Sequence, residues 1–146
     1  MSRIAFSALA DGGFGLLRPA LEAARLAIDD LDQLGRIFFE LSDEVGSIGF
    51  IGLEGNGADR LLRSLIVLPG RKRQGYGGLL VAHVEAFARR DGVRRLHLLT
   101  TTAADFFRAH GYRPAGRADA PAAIAATAQF TSLCPGSAAY LVKDLA

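Results

Sequence analysis

Between Leu61 and Phe87 the chain runs through an apolar segment, a proline, a basic glycine loop and an amphipathic helix, and few folds accept that succession. Leu61, Leu62, Leu65, Ile66 and Val67, interrupted by Arg63 and Ser64, read as a buried central strand over residues 58–68. After Pro69 comes Arg71-Lys72-Arg73-Gln74-Gly75-Tyr76-Gly77-Gly78. Leu80, Val84 and Phe87 then recur at helical spacing, with Glu85, Arg89 and Arg90 on the other face and Asp91-Gly92 as the stop. A strand entering a helix through glycines is a β-loop-α unit, so the fold class is α/β around a mixed sheet.

The loop itself has the makings of an anion cradle. Glycines let backbone approach a ligand closely, and the free N–H groups of a helix start carry positive potential. A pyrophosphate would suit it. The loop is no P-loop, because Gly77 and Gly78 are followed by Gly and Leu where Lys and Ser/Thr are required. A dinucleotide fingerprint fails as well, since its third glycine falls on Leu80.

The remaining segments fill out such a sheet. A short strand is expected near residues 2–8, then a helix from Leu17 towards Ile28 with Pro19 in its first turn. Asp29, Asp30 and Asp32 read as caps on a second short helix. Residues 37–41 and 45–53 form a hairpin about Asp43-Glu44, its second strand weakened by Gly46, Gly49 and Gly52. A strand over 96–100, a short helix over 103–110, an Ala-rich helix or loop over 115–128 and a final strand over 137–142 complete a single domain, residues 1–146.

Composition bounds the function classes. Half the 146 residues are hydrophobic, enough for a sizeable core. A balance of 17 Lys+Arg against 15 Asp+Glu offers no broad field for nucleic acid. The single cysteine, Cys134, excludes an internal disulfide framework and a multi-thiolate metal site, and no metal site is expected. Residues 120–142 are uncharged, but their prolines and hydroxyl residues break any spanning helix. The chain reads as cytoplasmic, with no membrane partner.

The segment Leu65 to Leu80, and with it Ala104 to Tyr112, resembles the acyl-CoA motif and following helix of the GCN5-related N-acetyltransferases (GNAT). The family's Gln/Arg position falls on Lys72, and its glycines match Gly75 and Gly77. The resemblance implies about six to seven strands flanked by helices, with a splay between strands four and five. It implies acetyl-CoA as co-substrate, its pyrophosphate held by Lys72, Arg73, Gln74, Gly75, Tyr76, Gly77 and Gly78. Ile66, Val67 and Leu68 would pair with the pantetheine arm, and Thr100 would face it. A narrower resemblance, carried by Leu98 to Phe107 and Ala126 to Ala138, is to the arsenic-resistance N-acetyltransferase branch, which implies an amino-acid-like arsenical amine as acceptor. A homodimer is a further family-based expectation.

The chemistry needs a neutral amine, a polarised carbonyl and a proton for the leaving thiolate. The family's usual acid, a tyrosine, corresponds here to Phe107, so the proton must come from Tyr112, Tyr140, Ser137 or water, or the thiolate must leave unassisted; Ser137 is the candidate carried forward. Glu54 is the candidate base. Arg63 and Ser64 are candidate substrate-binding residues, although a guanidinium within an apolar strand needs a partner and can equally pair with Asp59 or Glu54. His97 reads as a satisfied core histidine. The alternative to an N-acetyltransferase is a non-catalytic acyl-CoA-binding or ligand-sensing domain.

Overall fold

The computed structural model describes residues 3–9, 15–26, 35–133 and 137–145. Seven strands form one sheet: β1 (Ala5–Ala8), β2 (Arg36–Ser42), β3 (Ser47–Glu54), β4 (Asp59–Val67), β5 (Arg95–Thr100), β6 (Arg113–Pro114) and β7 (Ala139–Asp144). Their order is β1-β2-β3-β4-β5-β7-β6, with β4 and β5 parallel and every other pair antiparallel. The helices are α1 (Leu17–Ala23), α2 (Tyr76–Arg90), α3 (Ala104–Ala109) and α4 (Ala122–Ala125).

The strand pattern explains the layering. α2 lays Leu80, Val81, Val84 and Ala88 on the sheet face that carries Phe39, Leu41, Leu62, Leu96 and Leu98. On the opposite face α1 buries Leu17 and Leu21 against Phe38 and Phe50. The glycines of β3 serve this packing rather than merely weakening the strand. A Cβ on Gly49 would lie 2.3 Å from the Ile66 carbonyl oxygen of β4, and one on Gly52 would lie 2.7 Å from the Phe38 ring.

Several boundaries differ from the expectation. The last strand covers 139–144 instead of 137–142, because its pairing with β5 runs from Thr100↔Ala139 to Arg95↔Asp144. α1 stops at Ala23, where Arg25 turns to a φ of 59°. The first strand is described over 5–8 only. The edge strand β6 and a π-helical turn at Gln129–Leu133 were not foreseen. The proposed caps Asp29, Asp30 and Asp32, and Cys134, lie outside the described residues. Among those described, no helix is long and apolar enough to cross a membrane.

Candidate active site

Two local irregularities open the middle of the sheet. The β4–β5 ladder has three rungs, Asp59↔Arg95, Arg60↔Leu96 and Leu61↔His97, beyond which the strands part. β4 also bulges: Phe50 faces Ile66 and Gly52 faces Arg63, so Ser64 and Leu65 together oppose Ile51, and Ser64 takes a φ of 61°. A non-glycine residue at positive φ inside a strand is a strained conformation that marks functional places more often than ordinary ones.

The splay encloses a cavity of about 270 Å³ between Arg63, Ser64, Ile66 and Val67 of β4 and Leu98 and Thr100 of β5, with Lys72 and Phe107 on its walls. Beside it lies a second cavity of about 460 Å³, which shares Val67 and Lys72 and is bounded by Arg73, Gly75, Gly77 and His110. Gly70, Arg73 and Gly75 all have positive φ, and Gly75 caps α2, so the loop makes successive tight turns before the helix. The packing also needs Gly77 and Gly78, for added Cβ atoms would lie 3.2 Å from the Phe106 ring of α3 and 2.9 Å from the ring of His110, which follows α3.

The first of the loop's three cations is committed elsewhere. Arg71 donates from Nη1 to Asp43 Oδ2 at 2.6 Å and from Nη2 to Oδ1 at 2.8 Å, tying the loop to the β2–β3 turn. Asp43 Oδ1 also accepts the N–H groups of Val45 and Gly46. These hydrogen bonds, Arg71's above all, hold the Asp43 carboxyl well below the usual carboxylate range.

Glu54 and Arg63 are brought together. Arg63 donates to Glu54 Oε1 at 3.0 Å, and Arg36 donates to Oε2 at 3.2 Å, with all three side chains buried. The pairing is a diagonal across β3 and β4, since Glu54 registers with Leu61 and Arg63 with Gly52. Asp59, the other partner considered for Arg63, accepts instead from His97. Arg63 Nε also donates to Ser64 Oγ at 3.2 Å. Glu54 and Arg36 line a third cavity, about 440 Å³, with Gly35, Thr127 and Thr131. The Arg36–Glu54–Arg63 group thus separates this cavity from the splay.

His97 sits at the last rung before the strands part, hydrogen-bonded through Nε2 to Asp59 Oδ1 and through Nδ1 to the Tyr140 hydroxyl, each at 2.7 Å. Burial pushes the imidazole below its ordinary value, with Asp59 pulling the other way. A carboxylate only accepts, so Nε2 carries the proton and Nδ1 accepts from Tyr140.

The sequence-derived candidates therefore separate into groups. Arg63, Ser64, Ile66, Val67, Lys72 and Thr100 line the splay, and Arg73, Gly75, Tyr76, Gly77 and Gly78 line the adjoining cavity. Leu68 packs on the α1 side of the sheet and donates its N–H to Ile48. Gln74 reaches back to the Gly70 carbonyl. Ser137 is exposed before β7 and lines neither cavity of the splay. Tyr112 donates to Glu85 at 2.8 Å, and burial, then Glu85, drives its hydroxyl far above the ordinary value.

Residues 34–114, more than half the chain, match the family model described as the acetyltransferase (GNAT) domain. The chain belongs to the GNAT acetyltransferase family. Its fold superposes on an N-acetylglutamate synthase from Neisseria gonorrhoeae complexed with coenzyme A and L-arginine, with TM-score 0.80 and 19% identity over 99% of this chain and 34% of that one. The chain therefore spans about a third of that relative's length. A GNAT-family acetyltransferase from Staphylococcus aureus gives TM-score 0.80 and 17% identity over 99% of this chain and 100% of that one. An acyl-CoA N-acyltransferase from Klebsiella pneumoniae gives 0.75 and 22% over 100% and 99%. Among curated proteins none matches this GNAT sequence significantly.

Proposed function

We propose that this GNAT protein transfers the acetyl group of acetyl-CoA to the amine nitrogen of a small molecule. The observation that carries the proposal is the pair of neighbouring cavities, sharing Val67 and Lys72, that line the way from the Ser64 bulge between β4 and β5 to the glycine loop before α2. Their lining suits an acyl-pantetheine with a pyrophosphate at one end. Val67 and Thr100 wall the cavity between the strands, while Lys72 and Arg73 with the start of α2 fit the charged part. The acetyl carbonyl would lie at the bulge, where the strands begin to part, and the amine would approach from the Arg36–Glu54–Arg63 face. Rate enhancement comes chiefly from aligning the two reactants.

Glu54 has less scope as a base than its position at the end of β3 suggests, because both of its oxygens accept guanidinium hydrogens. We assign it the role of holding Arg63 in place. The narrower acceptor, an amino-acid-like arsenical, rests on the sequence resemblance alone and forms one arm of the test. A second reading, acyl-CoA binding without turnover, draws on Phe107, whose ring stands on the cavity wall where a hydroxyl would serve.

The test is calorimetric titration with acetyl-CoA of the native protein and of Lys72→Glu, followed by thiol release over a panel of amino acids, polyamines, aminoglycosides and an arsenical amino acid with its arsenic-free analogue. Binding weakened tenfold or more in the variant, with turnover on a panel amine, supports the proposal. No binding by the native protein refutes it, and binding without turnover favours the second reading. Equal turnover of the arsenical and its analogue removes the narrower acceptor. Sedimentation of the same sample tests the homodimer.

A further inference from the structure

The transfer proposed above leaves a thiolate that needs a proton, and two of the three tyrosines are badly placed to give one, while Tyr76 lies at the glycine loop in the adjoining cavity, away from the bulge. Tyr112 directs its hydroxyl to Glu85, and Tyr140 directs its own to His97. Ser137 is exposed before β7. Phe107 has no proton to donate. The hydroxyl-bearing residues that line the splay are Ser64, Thr100 and Thr102.

Three independent observations single out Ser64. It stands at the β4 bulge with a φ of 61°, a strained conformation that the ladder to β3 imposes on both sides. It is buried, with 9% exposure, yet on the wall of the cavity. Its oxygen accepts the Arg63 Nε–H, and among the described residues no acceptor takes its own proton. A hydroxyl that accepts a charged donor becomes a stronger donor itself, because the guanidinium stabilises the negative charge left on oxygen. Arg63 is in turn fixed by Glu54, so the polarising charge is rigid. Thr100 differs: its oxygen accepts the neutral Ala103 N–H at the start of α3 and has no cation beside it among the described hydrogen bonds.

We propose that Ser64 is the catalytic proton donor to the departing thiolate, with Arg63 as its positioning and polarising residue. This rests on the acetyltransferase reading of the same cleft. The amine nitrogen bonds to the acetyl carbon, and the carbon–sulfur bond breaks with its electron pair going to sulfur. Ser64 gives its hydroxyl proton to that sulfur and receives the proton shed by the new amide nitrogen, so no outside acid is consumed.

The test uses Ser64→Gly, which removes the hydroxyl and accepts positive φ without strain, so the fold is kept. With acetyl-CoA and the panel amine that the native protein acetylates fastest, kcat is expected to fall about 10- to 100-fold. That is the low end for a positioned acid, because a thiol of pKa about 8.5 leaves tolerably unaided. The acetyl-CoA Kd should stay within about twofold. Adding Phe107→Tyr to Ser64→Gly should restore most of the loss by supplying a hydroxyl from the opposite wall. A Ser64→Gly protein with native kcat overturns the proposal, as does a loss that Phe107→Tyr leaves unrescued or that a weaker acetyl-CoA Kd accounts for. A native protein that neither binds nor turns over acetyl-CoA instead overturns the reading on which the proposal rests.

Discussion

Replacing Glu54 by alanine removes the carboxylate that two buried guanidiniums share. The side chains of Arg36, Glu54 and Arg63 are 9%, 7% and 0% exposed, so water gives the freed charges little relief. Breaking a buried pair on one side costs about 3–5 kcal/mol, because the charges left behind lose this carboxylate while remaining desolvated. Against a total stability of about 5–15 kcal/mol for a domain of this kind, that is a large fraction. At roughly 3 °C per kcal/mol for this chain length, the melting temperature should fall by about 10–15 °C. Glu54→Gln keeps the volume and one acceptor, and should lose about half as much. Far-UV circular dichroism melts of the two variants beside the native protein measure both shifts. The informative contrast is the double replacement Glu54→Leu with Arg63→Leu, which removes the charge pair altogether and should melt above Glu54→Ala. A Glu54→Ala shift below about 3 °C, or a double variant less stable than the single one, would refute this account of the group.

Other outcomes follow from other contacts. His97 is held neutral by burial, so the unfolded chain binds a proton before the folded one does, and stability should decline as pH falls below about 6.5. Urea unfolding at pH 5 and pH 7.5 should show a smaller pH difference for His97→Gln than for the native protein. Asp43→Asn should raise the acetyl-CoA KM several-fold with kcat unchanged, since it frees the glycine loop from the β2–β3 turn without touching the splay; steady-state kinetics decide it. Gly49→Ala should destabilise by about 3 kcal/mol or more in the same melts, because its new methyl would meet backbone rather than a movable side chain.

Much of this architecture is legible in the sequence, for identifiable reasons. α2 declares itself by fifteen residues of helical periodicity with glycines before and after, and β2 to β4 by apolar runs closed with Asp and Gly turns. The lining of the splay by Ile66, Val67 and Thr100 is legible through the resemblance of residues 65–80 to the family's acyl-CoA motif, rather than through periodicity. Pairings across the sheet are another matter, because strand register depends on bulges that leave no compositional trace. Arg63 and Ser64 look alike in the sequence as polar breaks in an apolar run. Only the bulge turns the first towards Glu54 and sets the second on the cavity wall. The same holds for Arg71, grouped by adjacency with Lys72 and Arg73, whose partner Asp43 lies 28 residues away. Ser137 precedes the last strand, which begins two residues later at Ala139, because nothing in the apolar run marks where pairing with β5 starts.

The three-rung ladder between β4 and β5 has a consequence for how the protein meets its substrate. A sheet normally ends at its two rims, but this one also has borders in its middle: past Leu61 and His97, β4 is paired only with β3, and β5 only with β7. Those inner borders sit in a slot rather than on the outside, so a second protein chain has no room to add a strand there, while a slender molecule with amide groups can. A ligand lying in the slot would act as a missing strand, joining two half-sheets into one mechanical unit. Occupancy should then register as slower amide exchange along 65–67 and as firmer coupling between the halves, and substrate capture would be the last step of building the sheet.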